Sequence, residues 1–410
     1  MRVSISRIFS FGVRFVQRLG LVVFGFLLSL FLLEVVAQII PLWPDRLFQP
    51  DERFGWTLIP NTNGWFINPR FPFEVRNKVA INSRGLNDRE YSYQVTAGIF
   101  RVLLLGDSFA AALELPRDQS FHEIAERCLN KSFGIPAEII NTGVNAYATD
   151  NELLFYLFEG YRYQPDLVLL AFHPNDVAGN HPSMAPRYFE KPYYTFIEGK
   201  LELRNFPVAH HPEPDSLEAA TFFESIKRWF HLNSKFYNFI GVMIKSDQLE
   251  NLGNFLVRMG LMDSFQTDQP GEQPQDSVFS LEYTPEWVDA WAITKELIIR
   301  LREETRIRGS EFAVVIVTDY RQLITGDQAD VDFARLKRLL ADFLEYETIP
   351  YLDLYPALLN YQTNSSVPLH IPNDGHWTVA GHQQAGKEIC AWLQKQISIL
   401  QSGDHIIKDN

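Results

Sequence analysis

Five residues in four separated segments have the types and spacing for acyl transfer. They are Ser108 in GDSF, Gly143 in NTGVNAY, Asn175 in HPND, and Asp374 with His376 in PNDGHW. A neutral imidazole with one ring nitrogen held by a carboxylate is a general base, and two residues of separation around a glycine permit Asp374 to reach His376. Ser108 would give its proton to His376 and attack a carbonyl carbon, while Asp374 orients the ring and stabilises the imidazolium. The amides of Ser108 and Gly143 and the side chain of Asn175 would hold the oxyanion, at about 3 kcal/mol for one such donor. Each fragment alone has a plainer reading: a helix cap for Ser108, a tight turn at Gly143, a turn at Asn175, a polar loop for Asp374 and His376. Trp377 either shields the imidazole or fills the core. A rival reading takes His370, Asp374, His376 and His382 as zinc ligands, but no helical pair at i, i+4 supports it.

The elements around these residues place them together. FRVLLLGDS is a continuous apolar run with a hard stop, the pattern of a strand buried on both faces. AEIINTGV, PDLVLLAFHPND, EFAVVIVTDY and IPYLDLYPAL repeat it. Between them lie SFHEIAERCLNKSF, TDNELLFYLFEGYRYQ (capped by Thr149 or Asp150), EWVDAWAITKELIIRLREETRIRG and DFARLKRLLADFLEYE, all of helical periodicity, and TVAGHQQAGKEICAWLQKQI closes the chain. Strand and helix alternate, which indicates crossovers onto a parallel sheet. In such sheets ligands bind outside the carboxyl ends of the strands, where Ser108, Gly143 and Asn175 fall.

Residues 1–41 differ in kind. Arg2, Arg7, Arg14 and Arg18 precede a stretch of apolar residues long enough to span a bilayer, with Glu34 as its blemish. Basic residues before the span keep that end cytoplasmic and put the remainder outside. A cleaved signal peptide is the rival; the stretch is longer than a usual signal core and no small-residue cleavage site follows. Residues 42–99 read as an extended juxtamembrane segment with a short strand at Val79–Ile81. The catalytic domain is expected over 100–400, with an insertion at about 181–285 carrying short helices near Phe222–Phe230 and Lys235–Met243, and a tail at 401–410. A formal net charge of -13 excludes a nucleic-acid binder, which needs a basic stripe. The two cysteines, Cys128 and Cys390, read as separate core residues, with a bond between them as the minor alternative.

The four blocks, in this order, resemble those of the SGNH hydrolases, the GDSL esterase/lipase family, and the layout resembles its membrane-anchored bacterial members. The resemblance covers about residues 100–180 and 310–395. It implies a flavodoxin-like three-layer α/β/α sandwich, no cofactor, and ester hydrolysis or acyl transfer through an acyl-serine. It implies roles for Ser108, Gly143, Asn175 and His376, with Asp374 as the acid. Three positions depart from the family pattern: Phe109 replaces leucine, His173 replaces glycine, and the acid lies two residues before the histidine rather than three, where Asn373 stands. Some relatives remove or attach acetyl groups on surface polysaccharides, so the expected substrate is an ester or acetylated carbohydrate on the periplasmic side, with Trp65, Tyr188, Tyr193 and Tyr194 as candidate sugar platforms. An O-acetyltransferase fed by a separate donor protein, and a non-catalytic polymer assembly factor, are the alternatives. Intact Ser108, Asn175, Asp374 and His376 argue against the last.

Overall fold

The computed structural model describes residues 5–40, 43–68, 74–185, 190–209, 226, 229–230, 233–245, 278–323 and 332–402. These divide into two compact units. The first is built on α1 (Ile5–Ile39) and a helix at Lys235–Lys245. From Val16 to Ile39, α1 is apolar and long enough to cross a membrane.

The second unit begins at Asp45. Here β1 (Phe48–Asp51) pairs antiparallel with β2 (Gly55–Leu58), and β3 (Asn63–Ile67) with β4 (Arg76–Ala80). The expected extended segment is therefore two hairpins. Trp56, Asn77 and Asn87 tether it to the rest of the unit. Trp56 is buried with its indole N–H donating to the Asn145 carbonyl (2.9 Å), and Tyr147 Oη donates to the Trp56 carbonyl (2.7 Å). Asn77 Nδ2 donates to the Leu113 and Leu115 carbonyls, and Asn87 Nδ2 to that of Ala111.

The central elements follow as β5 (Phe100–Gly106), α2 (Ser108–Ala111), α3 (Phe121–Cys128), β6 (Ala137–Asn141), α4 (Thr149–Phe158), β7 (Leu167–Phe172) and α5 (Asn175–Gly179). Next come a hairpin of β8 (Tyr193–Ile197) and β9 (Lys200–Arg204), then α6 (Lys235–Lys245) of the first unit, α7 (Pro285–Ile307), β10 (Glu311–Ile316), α8 (Phe333–Tyr346), β11 (Tyr351–Asp353), α9 (Tyr355–Asn364) and α10 (Val379–Ser402). The expected insertion thus contributes the β8–β9 hairpin to one unit and α6 to the other. The expected helix near Phe222–Phe230 lies mostly outside the described residues, as does nearly all of the tail. Helix α4 starts at Thr149 with neither Thr149 nor Asp150 as its cap; Asn151 Oδ1 accepts the Ala148 amide instead (3.4 Å).

Five strands form one parallel sheet in the order β11-β10-β7-β5-β6. Counted along the sheet strands alone this is the 2-1-3-4-5 order of flavodoxin-like folds, whose switch point lies between the first and third strands, here β5 and β7. Side chains alternate across each strand, and both sets are apolar. Leu103, Leu105, Val168, Leu170, Val314 and Ile316 pack under α4, α7 and α8. Val102, Leu104, Leu167, Leu169, Ala313 and Val315 pack under α3, α9 and α10. Two helical layers therefore enclose the sheet, as an α/β/α sandwich requires.

Cys128, ending α3, and Cys390, in α10, form a disulfide. This corrects the reading of two separate core residues. The two helices lie side by side although their cysteines are 262 residues apart, and Gly386 lets them approach: a Cβ there would lie 2.8 Å from Ile124 Cβ.

Candidate active site

Strand β5 ends at Gly106, where a Cβ would lie 2.7 Å from that of Ala110. The chain then turns sharply into α2. Asp107 caps this helix by accepting the Phe109 amide (2.9 Å), which fixes Ser108 as the first helical residue at the switch point. Ala112 closes the short helix in the left-handed conformation, φ 50°.

His376 Nε2 lies 2.7 Å from Ser108 Oγ, and its Nδ1 lies 2.5 Å from Asp374 Oδ1. The two-residue spacing closes because Gly375 has φ +90°, a conformation L side chains rarely adopt. The same turn lets the His376 amide donate to Asp374 Oδ1 (3.1 Å), and the Gly375 amide to the Ile371 carbonyl (2.9 Å). Asn373, at the three-before position, faces elsewhere and donates through its amide and side chain to Glu74 (3.0 and 2.9 Å).

Sequence reasoning missed two contributors. Asn68, just after β3, donates its side-chain amide to Asp374 Oδ2. Glu114, beyond α2, is buried and places Oε1 3.6 Å from His376 Nδ1. A hydrophobic stretch interrupted by one acid, AALELP, was the only signal for it.

These contacts set the protonation of the site. Burial pushes the Glu114 carboxyl up, the neighbouring Asp374 adds to this, and despite the pull of His376 it stands at about 7. Burial pulls the His376 imidazolium down, but Glu114, the bond to Asp374 and the charge of Asp107 outweigh it and hold it at about 9. Burial also acts against the Asp374 carboxylate, yet bonds from His376 and Asn68 keep its pKa below the ordinary value.

The expected oxyanion donors sit at neighbouring strand ends, and two are already bonded. Asn175 Nδ2 donates to Asp107 Oδ2 (3.0 Å). The Gly143 amide donates to Asn141 Oδ1 (3.0 Å), and a Cβ at Gly143 would lie 2.4 Å from the Ala111 amide nitrogen. The glycine thus lets the β6 end press against α2.

Phe109 and His173, two of the departures from the family pattern, occupy one stack. The Phe109 ring lies 4.4 Å from that of His173 and 5.1 Å from that of His376. His173 accepts the Asn175 amide at Nδ1 (3.3 Å), and its Nε2 is 3.5 Å from Asp319 Oδ2. Burial pushes the Asp319 carboxyl up, but Arg321, bonded at 2.8 and 2.9 Å, outweighs this and holds it down. Trp377 is a core residue, packed edge-on against Phe109 and Phe121.

The zinc reading fails on geometry. His370 Nε2 lies 3.3 Å from the Thr318 carbonyl, and His382 stacks on Phe121 with Nδ1 accepting that residue's amide. Burial holds them neutral, His370 at about 4 and His382 at about 3. Of the proposed sugar platforms, Tyr194 is in the core, Trp65 and Tyr193 are half-buried, and Tyr188 lies outside the described residues.

No family model and no curated protein matches the sequence. Solved structures similar to it include the acetyl xylan esterase AlAXEase (10% identity, 71% of this chain and 98% of that one, TM-score 0.38). TesA is similar at 11% identity (72% and 98%, TM-score 0.36). A variant of Axe2, an acetyl xylan esterase from Geobacillus stearothermophilus, is similar at 11% identity (78% and 100%, TM-score 0.37).

Proposed function

We propose that this chain is a membrane-anchored serine esterase acting outside the cytoplasm. The observation behind it is the continuous chain of contacts from Asn68 through Asp374 and His376 to Ser108. Ser108 Oγ attacks the ester carbonyl as His376 Nε2 takes its proton. Asp374 stabilises the resulting imidazolium, and His376 returns the proton to the leaving alcohol. Water then attacks the acyl-serine by the same route in reverse. The oxyanion is held by the Ser108 amide, by Asn175, which keeps a second amide hydrogen beyond its bond to Asp107, and by the Gly143 amide once substrate oxygen draws it from Asn141.

The anchor is residues 1–41 and the catalytic unit starts near Asp45, since Asn68 serves Asp374. The Cys128–Cys390 bond supports the outward location, because such bonds persist in oxidising compartments. An outward-facing anchored esterase fits an acetylated surface polysaccharide as substrate; a sugar hydroxyl in place of water as acyl acceptor would make it a transferase.

The test uses the full chain in detergent with 4-nitrophenyl acetate and a serine-reactive phosphonate. Turnover and labelling should both vanish in Ser108→Ala. A folded wild type that neither turns over nor labels would overturn the proposal.

A further inference from the structure

Glu34 is the only acid between Val16 and Ile39, yet it is not left bare. Its Oε2 accepts from Ser234 Oγ (2.6 Å) and the Phe236 amide (3.2 Å). Its Oε1 accepts from the Lys235 amide (3.1 Å) and from Gln38 Nε2 (2.6 Å). The first amides of a helix have no intrahelical acceptor, and here a carboxylate on α1 supplies one to α6, which packs along it.

Just before α6 the chain exposes large aromatics. Trp229 is 58% exposed, and its ring lies 5.2 Å from that of Phe230, itself 5.8 Å from Tyr237. Helix α6, KFYNFIGVMIK, is apolar between terminal lysines. Trp and Tyr favour the boundary where one end of the ring is apolar and the other wet.

Depth along the anchor fits. The span Val16–Ile39 is about 36 Å long at 1.5 Å per residue, enough for a hydrocarbon core of about 30 Å. Glu34 lies five residues before its end, hence about 7.5 Å below it. Interfacial helices bury their apolar faces to a depth of about 5–10 Å.

We propose that Ile226, Trp229 and Phe230, together with α6, form a membrane-surface element. It lies in the headgroup–acyl boundary of the outer phospholipid leaflet, clipped to the anchor by Glu34, with Trp229, Phe230 and Tyr237 in lipid. This rests on the reading of α1 as an uncleaved anchor.

The test uses the full chain in phosphatidylcholine vesicles, with single cysteines bearing an environment-sensitive fluorophore; Cys128 and Cys390 are bonded and stay unlabelled. Trp229→Cys and Phe230→Cys should be quenched by lipids spin-labelled near the headgroup. Tyr346→Cys, on the catalytic unit, should be quenched only by aqueous iodide. Adding Glu34→Ala should remove most of the lipid quenching at 229. Labels at 229 and 230 as open to iodide as the one at 346 would overturn the proposal, and lipid quenching that survives Glu34→Ala would overturn the clip. Leu27→Cys reports on the anchor separately: deep quenching there upholds the span whatever the other labels show, and its absence removes both readings.

Discussion

Glu114 Oε1 lies 3.6 Å from His376 Nδ1, the ring nitrogen that Asp374 also engages. Two carboxylates thus face one side of the imidazole while Ser108 occupies the other. A general base must be neutral to act, so a raised imidazolium pKa places the onset of activity at higher pH than an unperturbed histidine would.

Replacing Glu114 with Gln removes one charge that holds His376 at about 9. The acid limb of kcat/KM should move down by on the order of one pH unit, while kcat on the alkaline plateau stays close to wild type. A lowered melting temperature with an unmoved limb would mean that Glu114 only fills space.

Asp374→Asn presents the wrong hydrogen-bonding partner to Nδ1 and should lower kcat by about 10⁴-fold. Asn68→Ala removes a bond to a charged oxygen, worth about 1.5–3 kcal/mol, so a loss of about 10- to 100-fold in kcat/KM is expected. Near-normal turnover of Asp374→Asn would transfer the orienting role to Glu114.

Gly375→Ala forces a side chain onto a residue at φ +90°, facing the Tyr320 ring at 3.3 Å. The strain should cost about 1–3 kcal/mol. It should fall on the turn joining Asp374 to His376, so kcat should drop more than stability. Urea titration and steady-state kinetics on the same preparation separate the two.

His376 also links stability to pH. Its folded pKa lies above the ordinary 6.5, so its contribution is complete below pH 6.5 and is lost as pH rises through about 9. The stability margin of wild type over His376→Gln should shrink across that window. A margin that is flat or grows would show that the imidazole is neutral in the folded state.

Cys128→Ser with Cys390→Ser should lower stability by about 2–4 kcal/mol, since the bond closes a long loop of the unfolded chain. Unfolding of wild type with and without reductant should reproduce the difference.

The parallel sheet was legible because its strands are uninterrupted apolar runs, and a strand buried on both faces needs such a run. Ser108 and Asn175 stood out as candidates because each stands where an apolar run stops, and His376 because it follows Asp374 by two residues just before the last helix. Residues 42–99 carry the local pattern of an extended segment, short strands alternating with Pro and Asn; that the described ones pair as two hairpins held by Trp56, Asn77 and Asn87 depends on contacts with distant residues.

By itself the sequence determined the order and nature of the main elements and the residue types that could perform acyl transfer, since these depend on patterns a few residues long. Tertiary structure decided which groups meet. Asn68 reaches Asp374 across 306 residues, Cys128 finds Cys390 across 262, and Glu114 lies 3.6 Å from His376 Nδ1. Such pairings follow from the packing of whole layers, and packing between distant segments leaves no periodicity or spacing in the chain.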